Sequence, residues 1–123
     1  MPHDDVIARL RHALNTGDDL ALMVLLDSSV RMLVDTGDDS GGVMRGRPAC
    51  TARLRAIREA HDSATFVEVS VNGAAGLALR EHDGRDAAVL AIGSSANGEV
   101  DRLWLSASPH KLLFWNRQRF PDA

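Results

Sequence analysis

The sequence predicts an α+β domain, with helices in its first half and antiparallel hairpins in its second. Three observations carry this prediction. Val6, Ile7, Leu10, Ala13 and Leu14 recur at helical spacing, as on the buried stripe of an amphipathic helix. From residue 66 onward apolar residues alternate instead, as in Val67, Val69 and Val71, the period of a strand with one buried face. Two dipeptides, Asp83-Gly84 and Asn97-Gly98, separate such runs. Both are strong signals for a two-residue type I′ hairpin turn.

The elements follow in order. Asn15-Thr16-Gly17 stops the first helix, with Gly17 suited to a left-handed cap. Asp18 or Asp19 caps a second helix over residues 20–26. That segment is apolar all round and short, which predicts a buried helix. A strand over 30–35 leads into a Gly-rich loop over 36–42. Pro48 fits the first turn of a third helix, where Cys50, Leu54 and Ile57 share a stripe. Arg55/Glu59 and Arg58/Asp62 stand at i,i+4 spacing, suited to ion pairs on its wet face. Strands are expected over 66–72, 77–82, 86–93 and 99–107, with 73–76 turning the first into the second.

Two-residue turns fix the pairing of the last three strands. Leu77 then opposes Leu90, Leu79 opposes Ala88, Ile92 opposes Leu103 and Leu90 opposes Leu105. Both turns sort the large aliphatics onto one face, which must pack on the helices. The other face carries Ala78, Arg80, Ala87, Val89, Ala91, Arg102 and Trp104. It is small and apolar with one tryptophan and flanking arginines, a composition suited to an interface. A homodimer through Arg80, Val89, Arg102 and Trp104 is expected. The alternative is cover by the C-terminal segment around Leu112, Leu113, Phe114 and Trp115.

Composition excludes several function classes. One domain over residues 1–123 is expected from the length. A single cysteine rules out an internal disulfide or a thiolate zinc site. The net charge of −3 argues against nucleic acid, which needs a dense basic face. No apolar run reaches the roughly 20 residues of a membrane span, and the acidic start Met1-Pro2-His3-Asp4-Asp5 is unlike a signal peptide. A cytoplasmic protein is expected. The five histidines do not cluster, so no metal or other cofactor is expected. Cys50 lies on a core stripe and not beside a base.

Several segments resemble a known group. Val71-Asn72-Gly73-Ala74-Ala75-Gly76-Leu77, Ser108-Pro109-His110-Lys111-Leu112, Asp35-Thr36-Gly37 and Met44-Arg45-Gly46-Arg47 are similar to stretches of the SnoaL-like C-terminal extension of extracytoplasmic-function sigma factors. The element order is that of the wider SnoaL-like, or nuclear-transport-factor-2-like, superfamily. The resemblance implies a cystatin-like cone, with three N-terminal helices packed on a curved, mainly antiparallel sheet and a pocket at the open end. It implies a domain that binds a small apolar ligand or a protein partner, in a regulatory and non-enzymatic role. The alternative it carries is an acid–base enzyme of the ketosteroid-isomerase or polyketide-cyclase kind, with Asp35 as catalytic base.

Each candidate residue has two readings. Asp35 ends the first strand, and is either a pocket base or a turn carboxylate binding the N–H groups of the next loop. Asn72 either places an amide in a ligand pocket or holds a turn. Glu68 is a buried ligand-binding acid if its face looks inward, and a surface residue otherwise. The absence of tyrosine weakens the enzyme alternative, because tyrosine is a common oxyanion donor. The segment from Phe114 to Phe120 mixes basic and aromatic residues, as either a binding epitope or a packed tail.

Overall fold

A computed structural model describes residues 2–119. Helices α1 (Pro2–Thr16) and α2 (Asp19–Leu25) precede strand β1 (Leu26–Asp35) and the short β2 (Gly42–Arg45). Helix α3 (Arg47–Ala60) is followed by β3 (Thr65–Val71), β4 (Ala74–Arg80), β5 (Asp86–Ser94), β6 (Val100–Ser106) and helix α4 (Pro109–Arg119). The strands form one curved sheet in the order β2-β1-β6-β5-β4-β3. Only the β1/β6 pair is parallel. The fold is therefore α+β with a mainly antiparallel sheet, as the sequence predicts.

The core lies between the sheet and the first three helices. Val6, Ile7, Leu10, Ala13 and Leu14 of α1 are buried, and α1 packs on β3 and β4. Cys50 and Leu54 of α3 are fully buried, and α3 packs on β1 and β2. From the sheet, Leu77, Leu79, Ala88, Leu90, Ile92, Leu103 and Leu105 all face this core. The pairings Leu77–Leu90, Leu79–Ala88, Ile92–Leu103 and Leu90–Leu105 are those expected.

The turns reach that register by another route. Glu81 pairs with Arg85 across a three-residue loop, and Gly84 alone is left-handed, at φ 85°. One extra residue, Ala87, then bulges between the pairs Arg80–Asp86 and Leu79–Ala88. The second hairpin repeats the device, with Ser95 against Glu99, Gly98 at φ 84° and Asp101 as the bulged residue. A longer loop shifts the register by one and the bulge restores it. The bulges also bend the strands, which contributes to the curvature. The type I′ turn lies elsewhere, at Asn72-Gly73 with φ 51° and 82°. Residues 74–76, expected as a turn, belong to β4.

Other departures have simple causes. Only Leu22 of α2 is buried, and Leu20 and Val24 are exposed. The helix is two turns long and packs one side on α1 and α3, so the far side stays wet. Asp18 caps it, accepting from the Ala21 N–H at 3.0 Å. Arg55 pairs with Asp19 of α2 and not with Glu59. Arg58 donates to the Asn15 carbonyl at 3.3 Å and not to Asp62. Interhelical partners displace the expected pairs within α3. The strand β1 begins four residues earlier than expected, and β2 and α4 were not expected as elements.

Candidate ligand-binding face

The interior of the cone is lined by buried apolar side chains. Phe66, Ile7, Leu10, Leu26, Met32, Leu54, Leu77, Leu79 and Leu90 are among its fully buried side chains. An open concavity lies on the opposite, outer face of the sheet.

Alternation along β1 builds that face. Val30, Met32 and Val34 point to the core, while Arg31, Leu33 and Asp35 point outward. In β2, Val43 and Arg45 are the exposed pair, and in β6 Arg102 and Trp104. Cross-strand register aligns them in rows. Val43, Leu33, Trp104 and Ala91 stand in one row across β2, β1, β6 and β5. Arg45, Arg31, Arg102 and Gly93 stand in the next. Trp104 is 51% exposed, Val43 51% and Leu33 40%. Together the two rows line a groove of about 490 Å³. The small residues Ala91 and Gly93 leave its floor low beside Trp104 and Arg102. On the far side of the arginines lies a polar recess lined by Ser28, Ser29 and Asp101.

The C-terminal helix covers the neighbouring part of the same face. Helix α4 packs against β5. Asp86, fully buried, holds it: its carboxylate accepts from the Trp115 indole N–H at 2.7 Å and from Arg80 Nε at 3.0 Å. The Asn116 side chain accepts from the Asp86 N–H at 2.8 Å and donates to its carbonyl at 3.1 Å. Leu112 is buried, but Leu113 and Phe114 face solvent. The C-terminal segment is thus a packed helix with two apolar side chains left outside, and Phe120 lies outside the described residues.

The predicted site residues do not converge. Asp35 is on the outer face, where it bonds the Lys111 ammonium of α4 and accepts from the Gly37 N–H at 3.1 Å. These two donors, Lys111 first, hold its carboxyl below the ordinary carboxylate range. Asn72 is exposed in its turn with a left-handed backbone. Glu68 does share the core-facing side with Phe66, but β3 is the edge strand and Glu68 is exposed there. It is not a buried acid. Of the four residues expected at a homodimer face, Arg102 and Trp104 are exposed. Val89 is buried, and Arg80 is engaged by Asp86. Burial raises the Cys50 thiol pKa, as for a core cysteine. His61 bonds Glu81 at 2.7 Å, far from Asp35 in the sheet order.

Arg31, Leu33, Val43 and Arg45 were missed as site residues. The signal for two of them was present, since Val30-Arg31-Met32-Leu33-Val34 alternates in size and charge. Its outward partner β2 is four residues long and has no signal of its own.

No family model and no curated protein matches the sequence. Solved structures do match. A SnoaL-like protein of unknown function from Burkholderia thailandensis is 14% identical, over 85% of this chain and 92% of that one, with a TM-score of 0.62. An NTF2-like protein of unknown function from Cytophaga hutchinsonii is 17% identical, over 90% and 94%, with a TM-score of 0.61. The fold is that of the SnoaL-like and NTF2-like proteins. SigJ, an extracytoplasmic function sigma factor of Mycobacterium tuberculosis, shares this SnoaL-like fold over 89% of the present chain, at 23% identity and a TM-score of 0.69. The chain spans 43% of SigJ. Among the described residues no helix is long and apolar enough to cross a membrane.

Proposed function

We propose that the chain is a non-enzymatic binding domain whose working surface is the outer face of the sheet. One observation carries the reading. A half-exposed tryptophan and two exposed aliphatics line an open groove on the outer face, opposite the side that packs on the helices. A mostly apolar concavity with a few polar groups is the usual form of a small-molecule site. A regulatory setting draws support from the likeness to part of the sigma factor SigJ. The acid–base alternative would need Asp35 to take up a proton beside a bound carbonyl. Asp35 instead faces the Lys111 ammonium, which favours its ionised form and makes it a weak base.

A thermal-shift screen of small apolar compounds tests this reading, because a ligand of the native state raises the melting temperature by linkage. Stabilising compounds should lose their effect in Trp104→Ala and keep it in Asp35→Asn. Compounds that lose their effect in Asp35→Asn and keep it in Trp104→Ala would overturn the reading in favour of the enzyme. Pairing of two copies through the same face is a second reading. Exposure of Leu33, Val43 and Trp104 together supports it. Sedimentation of the wild type and of Trp104→Glu decides it: a dimer that becomes a monomer sustains pairing, and a monomeric wild type ends it.

A further inference from the structure

Three arginines stand side by side on the outer face. Arg45 is the register partner of Arg31 across β2 and β1, and Arg31 is the partner of Arg102 across β1 and β6. Adjacent strands lie about 5 Å apart, and like charges directly opposite each other destabilise a sheet. Ion pairs with neighbouring carboxylates would relieve the repulsion. Among the described residues Arg31 and Arg45 have no such partner, and for Arg102 the carboxylate of Asp101 stands 4.0 Å away, beyond hydrogen-bond range. This row sits on a chain whose net charge is −3. Local charge therefore runs against the overall balance at one place, and that place borders the groove.

Resting on the binding reading above, we infer that the groove takes a small organic anion. Its oxyanion head lies on the arginine row and its flat apolar body lies over Trp104, Leu33 and Val43. Guanidinium groups present forked N–H donors that match the paired oxygens of a carboxylate or phosphate. An anion placed between them replaces repulsion by attraction. The next row, two residues further along each strand, offers an indole face and two aliphatics at the distance of a short ligand body. Charge disfavours a second copy as the occupant. A two-fold pairing brings the same patch against itself, and of the acids near it Asp35 is engaged by Lys111, Asp86 by Arg80, and Asp101 already stands beside Arg102 of its own chain.

The test uses the full chain and the indole N–H signals of its two tryptophans in a proton–nitrogen NMR titration. Trp104 lines the groove and Trp115 is tied to Asp86, so each reports a different place. The probes are naphthoate, naphthyl phosphate, neutral naphthalenemethanol and inorganic phosphate. Naphthoate or naphthyl phosphate should move the Trp104 signal, at least about tenfold more tightly than the alcohol, and Arg31→Gln should remove that advantage. The two naphthyl anions distinguish a carboxylate head from a phosphate one. Inorganic phosphate should bind more weakly than naphthyl phosphate, since it has no body for the shelf. Equal affinity for the alcohol and the anions would overturn the anion and leave the groove. A Trp104 signal that no probe moves would overturn both. A Trp104 signal that shifts with protein concentration, with the mass of two copies by sedimentation, would assign the face to self-pairing and overturn the anion.

Discussion

Trp115 on α4 donates its indole N–H to the carboxylate of Asp86 on β5 at 2.7 Å. Asp86 is fully buried, and this donor and Arg80 are among its partners. A buried carboxylate that loses a partner keeps its desolvation cost. Trp115→Phe should lower stability by about 1–3 kcal/mol in urea denaturation. Asp86→Ala, which strands Arg80 and the Trp115 indole N–H, should cost about 3 kcal/mol. Equal stability of Trp115→Phe and wild type would mean that this hydrogen bond does not contribute to holding α4.

The arginine row predicts an effect in the ligand-free protein. Arg31 is its centre, facing like charges on both neighbouring strands. Arg31→Thr should raise stability by about 0.5 kcal/mol at low ionic strength. The gain should shrink toward ~1 M salt, where screening acts within a few ångströms. A destabilised Arg31→Thr would show that the guanidinium is already neutralised in the free chain.

Asn72 separates a turn role from a ligand role. Its φ of 51° costs a residue with an ordinary β-carbon about 1 kcal/mol. Asn72→Ala should be destabilised by about that amount, and Asn72→Gly should stay near wild type. Loss of ligand affinity in a fully stable Asn72→Ala would restore the binding role.

Asp38 sets a low-pH transition in the β1–β2 loop. The Ser40 hydroxyl, the Ser40 N–H and the Thr36 hydroxyl bond its carboxylate and lower its pKa to about 2. The sign follows from linkage: a depressed folded-state pKa stabilises above the ordinary value of 3.8, and that contribution is lost as pH falls toward 2. The carboxyl carbon signal of Asp38 should titrate near 2, and Asp38→Asn should remove that step from the loop's pH response. A midpoint near 3.8 would mean that the loop bonds do not persist in solution.

Period and turn chemistry made much of the fold legible. The α1 stripe follows from apolar spacing of three and four, and the inward face of β4, β5 and β6 from alternation, because burial of one face imposes its period on the sequence. Register was legible for a subtler reason. Two-residue turns place Leu77 opposite Leu90 and Ile92 opposite Leu103, and the structure reaches the same pairs through three-residue loops offset by two bulges. The loops themselves were misread, since Asp-Gly and Asn-Gly each serve more than one turn type.

The site was far less legible. Pattern alone established the fold class, the core stripe, the inward face of the last three strands and a break between β3 and β4, expected over 73–76. The position of the groove on the outer face follows from pairings between distant strands. Arg31, Arg45 and Arg102 are separated by up to 71 residues between the first and the last and become neighbours through the parallel β1/β6 pairing and a four-residue strand. Such pairing is non-local, and local propensity carries no trace of it. The same is true of α4, whose place on β5 depends on one buried aspartate meeting a tryptophan from the far end of the chain.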